Sequence, residues 1–126
     1  MDTLIDNDWD IEKNGITRER ALELEGVPDY PRISAARFHF TRLTPEERAR
    51  VLAIARRELT EAKEYAKSLR KQAAEGYSKI REEVSKGIEY GGQKSMLKPY
   101  YAGLRKQAQR LIEIAERNLA SLEAQS

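Results

Sequence analysis

Apolar residues recur along this chain at alternating spacings of three and four. Leu52, Ala55, Leu59, Ala62, Ala66, Leu69 and Ala73 form one such run. Tyr101, Leu104, Ala108, Leu111, Ala115 and Leu122 form a second, with Asn118 filling the gap. This spacing keeps one stripe of a helix turned toward a partner helix. The pattern predicts an all-α fold: a long antiparallel, coiled-coil-like helical hairpin over 44–126. Its start is marked by Thr44-Pro45-Glu46-Glu47, with Thr at N-cap, Pro at the first helical position and Glu at the third. The stripe continues through Tyr77, Ile80, Val84 and Ile88. Gly76 lies inside it, where a glycine costs about 1 kcal/mol relative to alanine and is a candidate break. Gly91-Gly92 suits a tight reversal near Tyr90, with the return helix starting at Leu97 or Pro99. The pentapeptide Leu-Arg-Lys-Gln-Ala occurs at 69–73 and at 104–108, which come roughly opposite each other in such a hairpin.

The first 43 residues read differently. They are punctuated by Asn14-Gly15 and by Gly26 to Pro31. Thr17 can cap a short helix from Arg18 to Glu25, and Ser34 another from Ala35 to Arg42. The domain reading is therefore an acidic segment over 1–16, short helices with a Pro-rich turn over 17–43, and the hairpin. Large apolars here, among them Trp9, Phe38 and Phe40, are expected to pack on one end of the hairpin. Ile112, Ile114 and Leu119 fall off the return seam and call for a third surface, either this N-terminal segment or a second copy of the chain.

Charge changes the picture more than composition does. The 126 residues carry a net charge of only +2, unevenly placed. Residues 1 to 12 hold Asp2, Asp6, Asp8, Asp10 and Glu12 and no base. The stretch between Glu89 and Glu113 holds Lys94, Lys98, Arg105, Lys106 and Arg110 and no acid. There is no cysteine, so disulfides, thiolate metal sites and cysteine nucleophiles are excluded. No apolar run approaches the ~18 residues of a membrane span, and no signal peptide is legible, so a cytoplasmic protein is expected.

Motifs for chemistry fail on spacing. An EF-hand loop starting at Asp6 would put Ile11 where glycine is required and Thr17 where glutamate is required. Gly87 to Ser95 lacks the contiguous Gly-Lys-Ser of a phosphate loop, because Gln93 separates glycine from lysine. His39 is the only histidine and seeds no zinc site. Thr17 to Phe40 resembles the outline of a helix-turn-helix, but two prolines stiffen the turn and Asp29 has the wrong sign beside DNA. No enzyme, cofactor, metal or small-molecule substrate is expected.

Two surfaces remain. The first is a protein-binding one, for a partner or a second copy, formed by Tyr77, Ile80, Val84 and Ile88 near the tip with Arg56, Lys63 and Arg70 flanking. On this reading the chain is a non-enzymatic helical interaction module, an adaptor or inhibitor. The alternative is a nucleic-acid-binding accessory protein using Lys94, Lys98, Tyr100, Tyr101, Arg105, Lys106 and Arg110. Arg56, Lys63 and Arg70 each follow a d residue of the heptad, and Lys98 and Arg105 take the same position on the return helix. Cationic rows with nearby aromatics suit single-stranded nucleic acid; the same rows also serve as solvated flanks that set partner choice.

Overall fold

The computed structural model describes residues 9–26, 30–87 and 91–126, with backbone alone for 91–96. Among these residues there are helices and no strands. Helix α1 spans Ile11–Asn14, α2 Arg18–Glu25, α3 Ala35–Phe38, α4 Pro45–Ser85 and α5 Gly91–Gln125, with a 3-10 turn at Phe40–Arg42 before α4. The chain divides into two compact units, Met1–Glu58 with Glu116–Ser126, and Leu59–Ala115.

In the first unit the caps follow the sequence closely. Thr17 accepts from the Arg20 amide at 3.1 Å, and Gly26 closes α2 in a left-handed conformation. Asp10 caps α1 by accepting from the Glu12 amide at 2.9 Å. Part of the acidic stretch is thus a helix cap, whereas Asp2, Asp6 and Asp8 lie outside the described residues. Ser34 precedes α3 without a side-chain cap bond, and the expected single helix from Ala35 to Arg42 is instead α3 followed by the 3-10 turn. The capping box at α4 forms in full. The Thr44 amide donates to Glu47 Oε1 at 2.9 Å, and the Glu47 amide donates to Thr44 Oγ1 at 3.2 Å.

The core of this unit is built from Ile16, Ala21, Leu24, Ala35, Ala36, Phe40, Leu43, Val51, Ala55 and Leu122, with Trp9, Leu52 and Leu119 packed on it. The short helices therefore share their core with the start of α4 and the end of α5. Trp9 is fixed by its indole N–H, which donates to the Ile16 carbonyl at 3.0 Å. Leu119 packs against this core and is half-buried there.

In the second unit α4 and α5 run as a hairpin. The helix does not break at Gly76. Continuing the three-four alternation from Ala73 gives Gly76 and Ile80, and these, rather than Tyr77, are the seam positions. Tyr101 lies over Gly76; a Cβ added there would stand 3.5 Å from the Tyr101 hydroxyl, which reaches the Gln72 carbonyl at 3.5 Å. That spacing leaves ordinary van der Waals room. Gly76→Ala is expected to stabilise the chain by about 0.5–1 kcal/mol, the helix-propensity difference, read as a higher midpoint in urea denaturation; a lower midpoint would contradict the seam geometry.

On α5 the seam runs Leu97, Tyr101, Leu104, Ala108, Ile112 and Ala115, all buried or half-buried. Two four-residue steps in succession replace Leu111 with Ile112. Leu111 is 50% exposed and Ala108 only 1%. A straight helix drifts about 20° per heptad from a strict seven-residue repeat, and an extra four-step restores the register. The reversal also differs from expectation. α4 ends at Ser85, Gly87 takes φ 89°, and Gly91 and Gly92 already belong to α5. Pro99 sits inside α5 rather than at its start. Its ring removes one amide donor, and the helix continues through it.

Candidate functional surfaces

The first unit concentrates its polar chemistry on holding loops. Glu47 is 9% exposed. Its carboxylate takes Arg20 Nε at 3.0 Å and Arg20 Nη2 at 3.3 Å, besides closing the capping box. Burial opposes ionisation of Glu47, but Arg20 and the Thr44 amide outweigh it and hold the carboxyl below its ordinary range. Other guanidinium groups clasp backbone carbonyls: Arg42 on Leu24 at 2.9 Å, Arg48 on Leu43 at 3.0 Å, Arg50 on Gly15 at 2.9 Å and Arg57 on Glu12 at 3.0 Å. The planar fork is pre-organised, so each such bond costs less side-chain freedom than it would from a lysine.

Glu25 takes Arg32 through both its guanidinium, at 2.7 Å, and its amide, at 2.6 Å. These two bonds, against the opposing effect of burial, bring the Glu25 carboxyl down to about 2. His39 Nε2 lies 3.6 Å from the same carboxylate. The His39 ring meets the Phe38 ring edge-on at 5.0 Å, and Arg32 stacks 3.9 Å from the Phe38 centroid. A depressed carboxylate stabilises the fold above its unfolded value near 4.5 and loses that contribution as pH falls toward about 2. Urea denaturation at pH 7 and at pH 2.5 is expected to show a smaller acid loss for Glu25→Gln than for the parent chain. Equal acid losses would remove Glu25 from the acid response.

Beside this latch an open cleft of about 510 Å³ is lined by Lys13, Arg32, Ile33, Ser34 and Arg37, among others. Its cations are partly spent, since Arg37 pairs with Glu58 and Arg32 with Glu25. Ile33 in its lining is exposed, as are Tyr30 and Phe38 elsewhere in this segment. Among the described residues no group of three or more histidine or acidic side chains is placed to hold a metal. No helix there is long and apolar enough to cross a membrane.

The second unit separates the expected surface residues by flank. In the first unit Arg56 and Glu123 pair at 3.8 Å. Both occupy position e, the residue after a d position, so in this antiparallel pair e faces e and g faces g. Applied to the second unit, the e flank carries Lys63, Arg70 and Tyr77 on α4 and Lys98 and Arg105 on α5. Lys67 and Arg81 border it. The g flank carries Tyr65 and Gln72 on α4 and Tyr100, Gln107 and Leu111 on α5, with Ile114 alongside. Tyr65 is 41% exposed and Tyr100 60%.

The two residue sets named from sequence therefore regroup. Lys63 and Arg70 join Lys98 and Arg105 on one flank, with Tyr77 half-buried among them. Tyr100 faces the other flank, edge-on to Tyr101 with ring centroids 5.2 Å apart. Tyr101 belongs to the seam. Ile80 is buried there as well, and Val84 is 52% exposed. Lys106 and Arg110 point outward, away from both flanks. Arg56 lies in the first unit, and Ile88 and the Lys94 side chain are outside the described residues.

The basic residues themselves are partitioned. The first unit holds ten arginines and one lysine; the second holds eight lysines and four arginines. Against seven acids, the second unit's twelve bases give net +5, leaving −3 on the first. The chain matches no family model, and neither a curated protein nor a solved structure matches it.

Proposed function

We propose that this chain is a non-enzymatic helical interaction module that docks a protein partner on the g flank of its hairpin. The observation that carries this reading is the exposed, uncharged row Tyr65, Gln72, Tyr100, Gln107 and Leu111, with Ile114 beside it. A single exposed apolar is ordinary, but Tyr65, Tyr100, Leu111 and Ile114 are grouped on one flank of the helix pair, and such grouping is a feature of docking surfaces. Tyrosine supplies contact area at little entropic cost, and aromatics are enriched at interface centres. The ends of the row are marked by charge at Glu58 and Lys79, the neighbouring g positions of α4.

The test uses a photo-crosslinking residue at Leu111 in the full chain, exposed to nuclease-treated host extract. One dominant protein adduct is expected, lost when Tyr65 and Tyr100 are changed to serine. Equal adducts from a probe at outward-facing Lys71 would overturn the assignment. A partner that proves to be a second copy would appear as a dimeric adduct and a doubled mass in light scattering.

A further inference from the structure

We propose that the opposite flank of the hairpin, Lys63, Arg70, Lys98 and Arg105 around Tyr77, is a binding strip for single-stranded nucleic acid. It is independent of the g-flank reading, because it uses other residues and another partner chemistry.

Three observations carry it. The strip is built from both helices. Lys63 to Arg70 and Lys98 to Arg105 are each seven residues, or about 10.5 Å, at the helical rise, and packed helix axes lie about 8–10 Å apart. The cations thus stand on a grid of about 10 Å rather than along one row. Second, the strip's positions within the second unit carry no acid, and Lys67 and Arg81 extend it along α4; Glu116, the next e position of α5, belongs to the first unit. None of these six cations makes an ion pair with a described carboxylate. Eight of the ten arginines of the first unit are engaged with carboxylates or carbonyls; these six cations are not. Third, Tyr77 is half-buried on the strip between Arg70 and Arg81 of α4, across from Lys98 and beside the Gly76 seam. An aromatic face among cations stacks an unpaired base while the cations hold its backbone, a combination that duplex phosphates do not need. The net charge of +5 on this unit supplies long-range attraction.

The experiment measures fluorescence anisotropy of a labelled 20-nucleotide oligo-dT with the full chain, at several salt concentrations. The strip variant is Arg70→Glu with Lys98→Glu and Arg105→Glu. The control is Lys71→Glu with Lys106→Glu and Arg110→Glu, which makes the same change in net charge on outward faces. Circular dichroism establishes that both remain helical. The strip variant is expected to lose at least about 30-fold in affinity at low salt and to flatten the salt dependence by about two units of slope, given about 0.7 per phosphate contact on single strands. The control is expected to lose under about fivefold. Tyr77→Leu keeps apolar bulk and is expected to lose about fivefold or more, whereas Tyr77→Phe retains binding, as stacking on a ring requires. Equal losses for strip and control would overturn the proposal, since net charge alone would then explain the binding. So would tighter binding to the matching duplex, or binding to phosphatidylglycerol vesicles without binding to the oligonucleotide.

Discussion

Phe40→Ala should cost this chain about 3–5 kcal/mol, the range for deleting a fully buried aromatic. Phe40 is 0% exposed and is the largest of the fully buried side chains. It sits in the 3-10 turn that leads into α4, within a core whose other members are mostly alanine, leucine and isoleucine. Small neighbours cannot collapse far into the space a ring vacates, so most of the cavity remains. For a chain of this size the loss amounts to a fall of about 10–20 °C in melting temperature. Phe38, two residues earlier, is 65% exposed and stacks under Arg32. Phe38→Ala is expected to cost under about 1 kcal/mol, the scale of an exposed cation–π contact. Thermal denaturation followed at 222 nm separates the two. Similar losses for both would mean that the core is not arranged around Phe40.

Gly15→Ala should destabilise by about 2–5 kcal/mol, and here alanine fails for two separate reasons. Gly15 closes α1 at φ 84°, where a Cβ adds about 1–2 kcal/mol of local strain. The added Cβ would also stand 2.8 Å from Val51 Cγ2 and 3.3 Å from Ile54 Cδ1. Val51 is 1% exposed and has little room to yield, so overpacking adds about 1–3 kcal/mol. Gly15 also offers its carbonyl to Arg50, so any displacement pulls on that bond. Beside it, Gly76→Ala carries the same chemical change with the opposite sign. Denaturant midpoints of the two variants should therefore move in opposite directions, and a shared direction would refute at least one of the two local geometries.

Much of the fold was legible because it depends on local rules. The capping box at Thr44 to Glu47, the α2 boundaries and the seam through Ala73 follow from residue type and spacing alone. Beyond Ala73 residue type points to Tyr77, which is apolar and stands next to the glycine that the helical spacing selects for the seam. Apolarity competes with periodicity there, and Tyr101, twenty-five residues on and in α5, fills the place that Gly76 leaves empty. Leu111 and Ile112 posed the same problem. Both are apolar, and only the accumulated drift of a real helix decides which one turns inward. Nothing local distinguishes Phe38 from Phe40, because the choice is made by the core built from Ile16, Leu24 and Val51. The candidate surfaces were half legible. The basic e positions could be read on each helix separately, but joining Arg70 to Arg105, and parting Tyr100 from both, required knowing that like flanks meet.

The division of cations between the two units has a chemical consequence. Eight of the nine lysines lie in the hairpin unit, and the first unit has only Lys13. Amine-directed acylation, by a reagent or by an acetyltransferase, therefore acts almost wholly on the hairpin. Complete acylation would turn that unit from +5 to −3 while leaving every arginine clasp of the first unit untouched. The molecule thus keeps its scaffold charge in a form that such chemistry cannot reach, and its surface charge in a form that it can rewrite.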